Sequence, residues 1–449
     1  MNRGHLINVM VPSLSETDLY EIQVENGQFT AIRVQNGSVK HPEFASIRHL
    51  DPTNMSTSPQ RWDVEGRIML PELVDSHMHL DKAFCLPQVP NHSGTLNEAV
   101  LNYHAASPFF SLEEMKARML RAALQALSFG TTAIRTHIDF LPNRSGASVF
   151  LGIQAALEVK ELLQPYVSLQ IAPMCPLGVG PREIDMVEEA FRMGADLLGG
   201  APHLSPTADQ DLRHIFALAA KYDRDIDLHT DENDDPAVNT LATIIAKTEE
   251  YGYQGRVVVD HLCSLAGMED EHAAELIDGI VKNQIGVITL PASNFYLQGR
   301  GDRGIVRRGL TRVKELLAAG AAVATASDNV HDPFHPFGRG DLLQVGLLTA
   351  YGAHLGSPAE QWMILRMITD IPAKLLGMKK HGIAAGETAA FVLVNACRTE
   401  EILTLLPEER WVFKGGSWLH AVKRQTLWGK PALEHLWKQA LPPGVNGQE

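Results

Sequence analysis

Over the first 65 or so residues, apolar and polar side chains alternate in short runs broken by turn residues. LYEIQVENGQFTAIRVQNGSV (Leu19 to Val39) carries two Asn-Gly dipeptides between such runs. Asn-Gly tolerates the positive φ of tight hairpin turns, so this stretch predicts a small antiparallel β unit. HLDPTNMSTSPQRWD, polar and containing Pro and Ser, reads as loop.

From Gly66 onward short β-rich segments alternate with amphipathic helical patterns. The strand candidates are RIMLPELVDSHMH, TTAIRTHIDF, VSLQIAPMC, DLLGGAPHL, DIDLHTDE, VVVDHLC, GVITLPASN and AAVATASDN. Helix patterns lie between them. SLEEMKARMLRAALQALSFG opens on Ser111 with Glu114 three residues on, a capping box, and EEAFRMGA is another. Nearly continuous apolar strands separated by helices predict a parallel sheet covered on both faces. Eight such units fit an α/β fold of the (β/α)8 TIM-barrel type over 66–384. GETAAFVLV and RWVFKGGSWLHAV read as strands again. Residues 1–65 and 385–449, the latter including a tail, are therefore expected to form a small β-sandwich domain built from both termini.

Composition narrows the class. The chain has 449 residues, 45% of them hydrophobic and 20% charged, which is ordinary for a globular protein with a large core. A formal net charge of -14 argues against a nucleic-acid partner, which would need clustered Lys and Arg. The basic run RGDRGIVRRGLTRVKELL reads as the solvated face of a loop and helix. No apolar stretch reads as a secretory signal or a bilayer span, so no membrane partner is expected. The four scattered cysteines lack CxxC spacing and fit reduced thiols in a cytoplasmic protein.

The chemistry gathers at the strand ends, where a (β/α)8 barrel carries its active site. His77 and His79 end the first strand, and its period of two aims both into the barrel mouth. His137 and Asp139 end the second, His203 the fourth, His229 and Glu232 the fifth, His261 the sixth, and Asp328 with Asn329 the eighth. His77, His79, His229 and Asp328 can share one metal ion. Three nitrogens and one oxygen suit zinc or ferrous iron with a position left for water. Each residue also has a bland reading. A lone HxH arises by chance, His137 and His203 read as satisfied core or mouth histidines, Glu232 suits a helix N-terminus, and Asp328-Asn329 suits a turn. Coincidence favours the metal site: four equivalent strand ends carry such groups, each after a run that should be buried.

VDSHMHLDKAF, SGTLNEAV, IRTHIDF, EVKELLQPYVSLQI, KYDRDIDLHTDENDD, GRVVVDHLCS, LQGRGDRG, TRVKELLAAG and ASDNVHDPFHPFGRGDLLQ span nearly the whole chain. On them the protein resembles the metal-dependent amidohydrolase superfamily, in the branch of cytosine deaminase and N-isopropylammelide amidohydrolase. The resemblance implies that His77, His79, His229 and Asp328 hold a single divalent metal, Zn2+ or Fe2+. It makes Glu232 the acid/base that protonates a ring nitrogen and helps the amine leave. His261 would orient the attacking water or polarise the substrate, and Asp328 would take that water's proton. Two-metal relatives end the fourth strand with a carboxylated lysine; GGAPHL has none, which points to one metal. Lys82, Gln298, Asn329 and Phe334 are the candidate substrate contacts.

The departures from the pattern argue against cytosine itself. Pro176 stands where cytosine deaminase has a glutamine that reads the pyrimidine, and proline offers no side-chain donor or acceptor. Phe334 replaces a tryptophan, Asn329 a second aspartate, and Lys82 is shared with the ammelide-type branch. The expected activity is hydrolytic deamination or dealkylamination of a small N-heterocycle, by attack of hydroxide on an amidine-like carbon with release of ammonia or an amine. Alternatives are hydrolysis of a cyclic amide or lactam on the same scaffold, and a non-catalytic ligand-binding relative. Self-association is expected because relatives assemble.

Overall fold

The computed structural model describes residues 3–53, 60–141, 143–304 and 306–440. The middle of the HLDPTNMSTSPQRWD loop, Ile305 in the basic run and the tail from 441 lie outside the described residues. The chain divides into two compact units. One comprises Met1–Glu72, Ser128–Gly130 and Lys380–Glu449, the other Leu73–Leu127 and Thr131–Lys379.

The first unit begins with β1 (Arg3–Met10), β2 (Leu19–Glu25), β3 (Gln28–Gln35), β4 (Ala45–Ser46), β5 (Gln60–Asp63) and β6 (Ile68–Pro71). Asn26 (φ 49°) and Gly27 (φ 74°) form the two-residue turn that pairs β2 with β3 antiparallel, as their sequence predicts. The second Asn-Gly ends β3, at the sheet's edge, without starting a hairpin. The unit is mixed rather than purely antiparallel, because β1 pairs in parallel with β5 through Gly4–Ile7 and with β6 through Met10. QRWD, expected as loop, is strand β5. Its few residues stand against β1, and that long-range ladder outweighs the polar local pattern.

The second unit carries β7 (Leu73–Met78), β8 (Thr131–Asp139), β9 (Ser168–Cys175), β10 (Leu198–Gly200), β11 (Ile226–Thr230), β12 (Val257–His261), β13 (Gly286–Thr289) and β14 (Val323–Thr325). All pair in parallel with their sequence neighbours. A parallel bridge from Met78 to Asp328 closes the ring between β14 and β7. Helices Leu112–Ser128, Leu151–Leu163, Pro181–Met193, Ala208–Tyr222, Thr240–Tyr251 and Asp270–Lys282 follow successive strands, giving the (β/α)8 barrel. Ser111 Oγ accepts from Glu114 N–H, the expected half of a capping box, while the Glu114 carboxylate pairs with Arg118. In β10, a Cβ on Gly199 would stand 3.1 Å from His137 Nδ1 and from the Pro173 carbonyl, a tight approach that the neighbours would have to relieve by a few tenths of an ångström.

Two expectations change. RIMLPELVDSHMH is two strands, β6 and β7, in different sheets; an unbroken apolar run does not signal where a chain changes sheet. PASN, read as the end of a strand, begins helix Pro291–Leu297, with proline at the first helical position, where its missing N–H has no consequence.

The chain then returns to the first unit as β15 (Phe391–Val394), β16 (Arg410–Lys414) and β17 (Ser417–Ala421), giving the order β17-β16-β15-β6-β1-β2-β3. Strands from both ends thus share one sheet that forks at β1. Its core draws Ile22, Val24 and Phe29 from one arm and Phe391, Trp411 and Phe413 from the other. Phe391 and Phe413 stack at 4.8 Å. Among the described residues, no helix is long and apolar enough to cross a membrane.

Candidate active site

Strands of the barrel end abruptly at its C-terminal rim. Asp231, His261, Leu262 and Asp328 all have φ between 50° and 65° there, a conformation that costs a non-glycine residue about 1–3 kcal/mol. The surroundings hold these turns in place. The Asp231 carboxylate accepts from Thr240 N–H at 2.8 Å and Leu241 N–H at 3.1 Å, pinning the loop after β11. Ser327 N–H donates to Asp75 Oδ1 at 3.2 Å, and Asp328 N–H to the His77 carbonyl at 2.9 Å.

These turns bring four expected residues together. His77 lies on β7, His79 just after it, His229 on β11 and Asp328 just after β14. His79 Nε2 stands 3.0 Å from His229 Nε2 and 3.4 Å from Asp328 Oδ1, and His77 Nε2 stands 3.5 Å from Asp328 Oδ1. Donors bound about 2.0–2.1 Å from one tetrahedral ion lie roughly 3.4 Å apart, so the spacing fits a shared cation. Two of the converging atoms, His77 Nε2 and Asp328 Oδ1, are buried without a hydrogen-bond partner among the described residues. The donor chemistry and the orphaned atoms both fit a divalent metal.

A second layer lies beneath. His77, His137, His229 and Asp260 form another close donor group, sharing His77 and His229 with the first. Asp260 Oδ2 stands 3.0 Å from His77 Nδ1 and 3.9 Å from His229 Nδ1, behind both rings. A carboxylate there favours the proton on Nδ1 of a neutral ring, leaving the Nε2 lone pair to face the site. Asp227 and Arg135 continue downward, with Arg135 Nη1 2.5 Å from Asp227 Oδ2. His137 is not the satisfied histidine its bland reading implies, since neither ring nitrogen has a hydrogen bond among the described residues. Asp260 was not singled out from sequence; its signal was a carboxylate inside a buried strand, directly before His261.

Glu232 and His261 meet above this layer, His261 Nδ1 lying 3.6 Å from Glu232 Oε1. Asn294, from the helix after β13, links them: its Nδ2 is 3.0 Å from His261 Nδ1 and 3.4 Å from Glu232 Oε1. Burial, with the nearby Asp328 charge, holds the Glu232 carboxyl well above its ordinary range. Burial pushes His261 down to about 3, keeping the imidazole neutral. Sequence reasoning missed Asn294 because PASN read as strand.

The structure places Lys82, Asn329 and Phe334 on the wall of a cavity of about 410 Å3 that also exposes His79, His229, Glu232, His261 and Asp328. Lys82 Nζ lies 3.0 Å from Asp139 Oδ2, 3.2 Å from His79 Nδ1 and 5.4 Å above the Tyr103 ring. Burial opposes its charge, but Asp139 and Asp81 overcome that and raise its pKa. Asn329 Nδ2 donates to Asp332 Oδ2 at 2.7 Å. Gln298 is not among the lining residues. It follows the helix that ends at Leu297, and its side chain packs over Gly309, where a Cβ would meet its Cγ at 2.4 Å. Pro176 does line the cavity. His203 is on the wall as well. Its Nδ1 is tied to the His229 carbonyl at 3.0 Å, and burial lowers it to about 4.

Comparison with known proteins agrees with this geometry. Residues 90–416 match the amidohydrolase family. The chain is 34% identical to the pterin deaminase of Rhizobium rhizogenes over 367 residues, covering 79% of this chain and 81% of that one. It is 28% identical to the N-isopropylammelide isopropyl amidohydrolase of a Pseudomonas species, covering 79% and 86%. The 5-methylcytosine deaminase of Klebsiella pneumoniae, solved with 5-fluorocytosine, superposes with a TM-score of 0.84 at 25% identity, covering 96% of this chain and all of that one. A metal-ready histidine-aspartate cluster at the rim of a (β/α)8 barrel and these likenesses lead to one conclusion: the chain belongs to the amidohydrolase family, in its cytosine deaminase-like branch, and is a hydrolase of carbon–nitrogen bonds.

Proposed function

We propose that the protein is a metal-dependent hydrolytic deaminase, or dealkylaminase, of an N-heterocycle with an amidine-like carbon. The observation that carries this reading is the pairing of Glu232 with His261 through Asn294, in a cavity that His79, His229 and Asp328 also line, with His77 buried beside them. The relatives support the substrate class, since their names concern a pterin, an ammelide and a methylcytosine.

In this reading His77, His79, His229 and Asp328 hold one divalent ion, Zn2+ or Fe2+. When bound, it supplies Lewis acidity and lowers the pKa of a water towards neutrality. Glu232 donates its proton to the ring nitrogen next to the reacting carbon, which makes that carbon more electrophilic. Neutral His261 orients the attacking water, and Asp328 accepts the proton that water gives up. Once the new C–O bond has formed, Glu232, left as a carboxylate, takes the adduct's hydroxyl proton and passes it to the exocyclic nitrogen, which leaves as ammonia or an amine as the C–N bond breaks. The proton held by Asp328 then restores Glu232. Lys82, Asn329 and Phe334 position the ring; Pro176 contributes no side-chain hydrogen bond, which disfavours cytosine.

The test is turnover of a panel of pterins, triazines, cytosine, isocytosine and creatinine by metal-loaded protein, read as ammonia or amine released. Glu232→Gln should lower kcat at least about 100-fold on the substrate found, the usual contribution of a general acid, with metal content unchanged. Full activity in that variant would refute the mechanism.

A further inference from the structure

The cavity has two chemically different sides. Its polar side is built by the ends of β7, β11, β12 and β14, which carry His79, His229, Glu232, His261 and Asp328. The other side lies over β7 to β10. It is walled by Leu96 and Val100 of helix Leu96–Ala106, Phe140 after β8, Leu177 after β9 and Leu204 after β10.

Three observations on the second side point the same way. First, it is larger than a bare ring requires. At about 30 Å3 per water-sized group, the 410 Å3 cavity holds about 14 such groups, whereas a monocyclic pyrimidine or triazine brings only about eight or nine non-hydrogen atoms. Second, Leu177 and Leu204 remain 46% and 44% exposed, two large apolar side chains facing one opening. Third, of the polar groups on this wall, which also include Arg182 and His104, two are already engaged or silent. The Glu183 carboxylate accepts from Gly180 N–H at 3.1 Å, and burial pushes the Cys175 thiol up to about 12.

We propose that the substrate carries an apolar substituent, alkyl or aryl, on the part of the ring remote from the reacting carbon, of about four to six carbons on a monocycle and about two on a bicyclic pterin. It lies against Val100, Phe140, Leu177 and Leu204. This rests on the deaminase reading for where the ring sits, and specifies what the ring bears. Recognition of the substituent comes from removing apolar surface from water, a non-directional effect that needs no hydrogen bond from Pro176.

The test is calorimetric binding of 5-alkylisocytosines and 6-alkylpterins, from the unsubstituted parents through methyl to hexyl, to the metal-loaded full chain. Affinity in at least one series should tighten by about three- to fourfold per methylene. The double variant Leu177→Asp with Leu204→Asp, both positions being partly solvent-exposed, should abolish that slope. A flat or weakening series, no binding by any member, or an undiminished slope in the double variant would each overturn the proposal. Ammonia or amine release is measured separately. Turnover with a flat slope sinks only this inference, and a steep slope without turnover sinks only the deaminase reading.

Discussion

The backbone N–H of Asp328 donates to the carbonyl of His77 at 2.9 Å, joining the end of the last barrel strand to the first. The same bond that closes the ring sets the Asp328 carboxylate 3.5 Å from His77 Nε2. Barrel closure and assembly of the donor set are one event. Asp328→Ala removes one donor without touching that backbone bond. We expect it to retain the fold but to lose stoichiometric metal after dialysis, with kcat/KM down at least about 1,000-fold. Metal analysis beside circular dichroism checks this. A folded variant with full metal content would contradict the assignment of Asp328 as a ligand.

Asp260 stands behind His77 and His229 and does not itself line the cavity. Removal of such a supporting carboxylate typically weakens a metal site about 10- to 100-fold. Asp260→Asn should therefore raise the Kd for Zn2+ by that factor in competition with a chromogenic chelator. An unchanged Kd would mean that the rings are held by packing alone.

Asn294 reaches both Glu232 and His261 but is not on the cavity wall. Asn294→Leu keeps the branched outline of the side chain, though its methyl groups are bulkier, and deletes the hydrogen bonds. We expect kcat to fall on the order of tenfold with KM nearly constant, because acid and imidazole lose alignment while ring contacts stay. A rise in KM with constant kcat would place Asn294 in binding instead.

Deep in the barrel, Arg135 Nη1 and Asp227 Oδ2 are 2.5 Å apart and both residues are buried. Arg135 also donates to Gln170 Oε1 and to the Leu375 carbonyl. Asp227→Ala strands a buried guanidinium, so denaturant unfolding should show a loss of about 3–5 kcal/mol. Replacing both residues with apolar ones nearer in volume, Asp227→Val with Arg135→Met, should recover most of that loss. A double variant as unstable as the single one would show that the charges are needed as a pair.

Much of this architecture is legible in the chain. The β/α alternation, the Asn26-Gly27 turn and the histidines and acids at strand ends are local signals, because side-chain period and turn geometry depend on neighbouring residues. The errors share the opposite cause. IMLPELV gives no sign of leaving one sheet for another at Glu72, and QRWD becomes a strand only because β1 lies beside it. Gln298 follows its motif in sequence, and one residue past the helix end its side chain packs over Gly309 and is not among the residues that line the cavity.

By itself the sequence determined which residues could do chemistry: periodicity says which positions face inward, and residue type says which carry lone pairs and protons. Only the tertiary structure decided how they divide the work. Asp260 faces the back of two imidazoles and Asn294 bridges Glu232 and His261 because strands and a helix remote in sequence meet at the rim. The apolar half of the cavity, contributed by segments after four successive strands, likewise has no local signature. Leu177 and Leu204 are ordinary leucines until folding sets them around one opening.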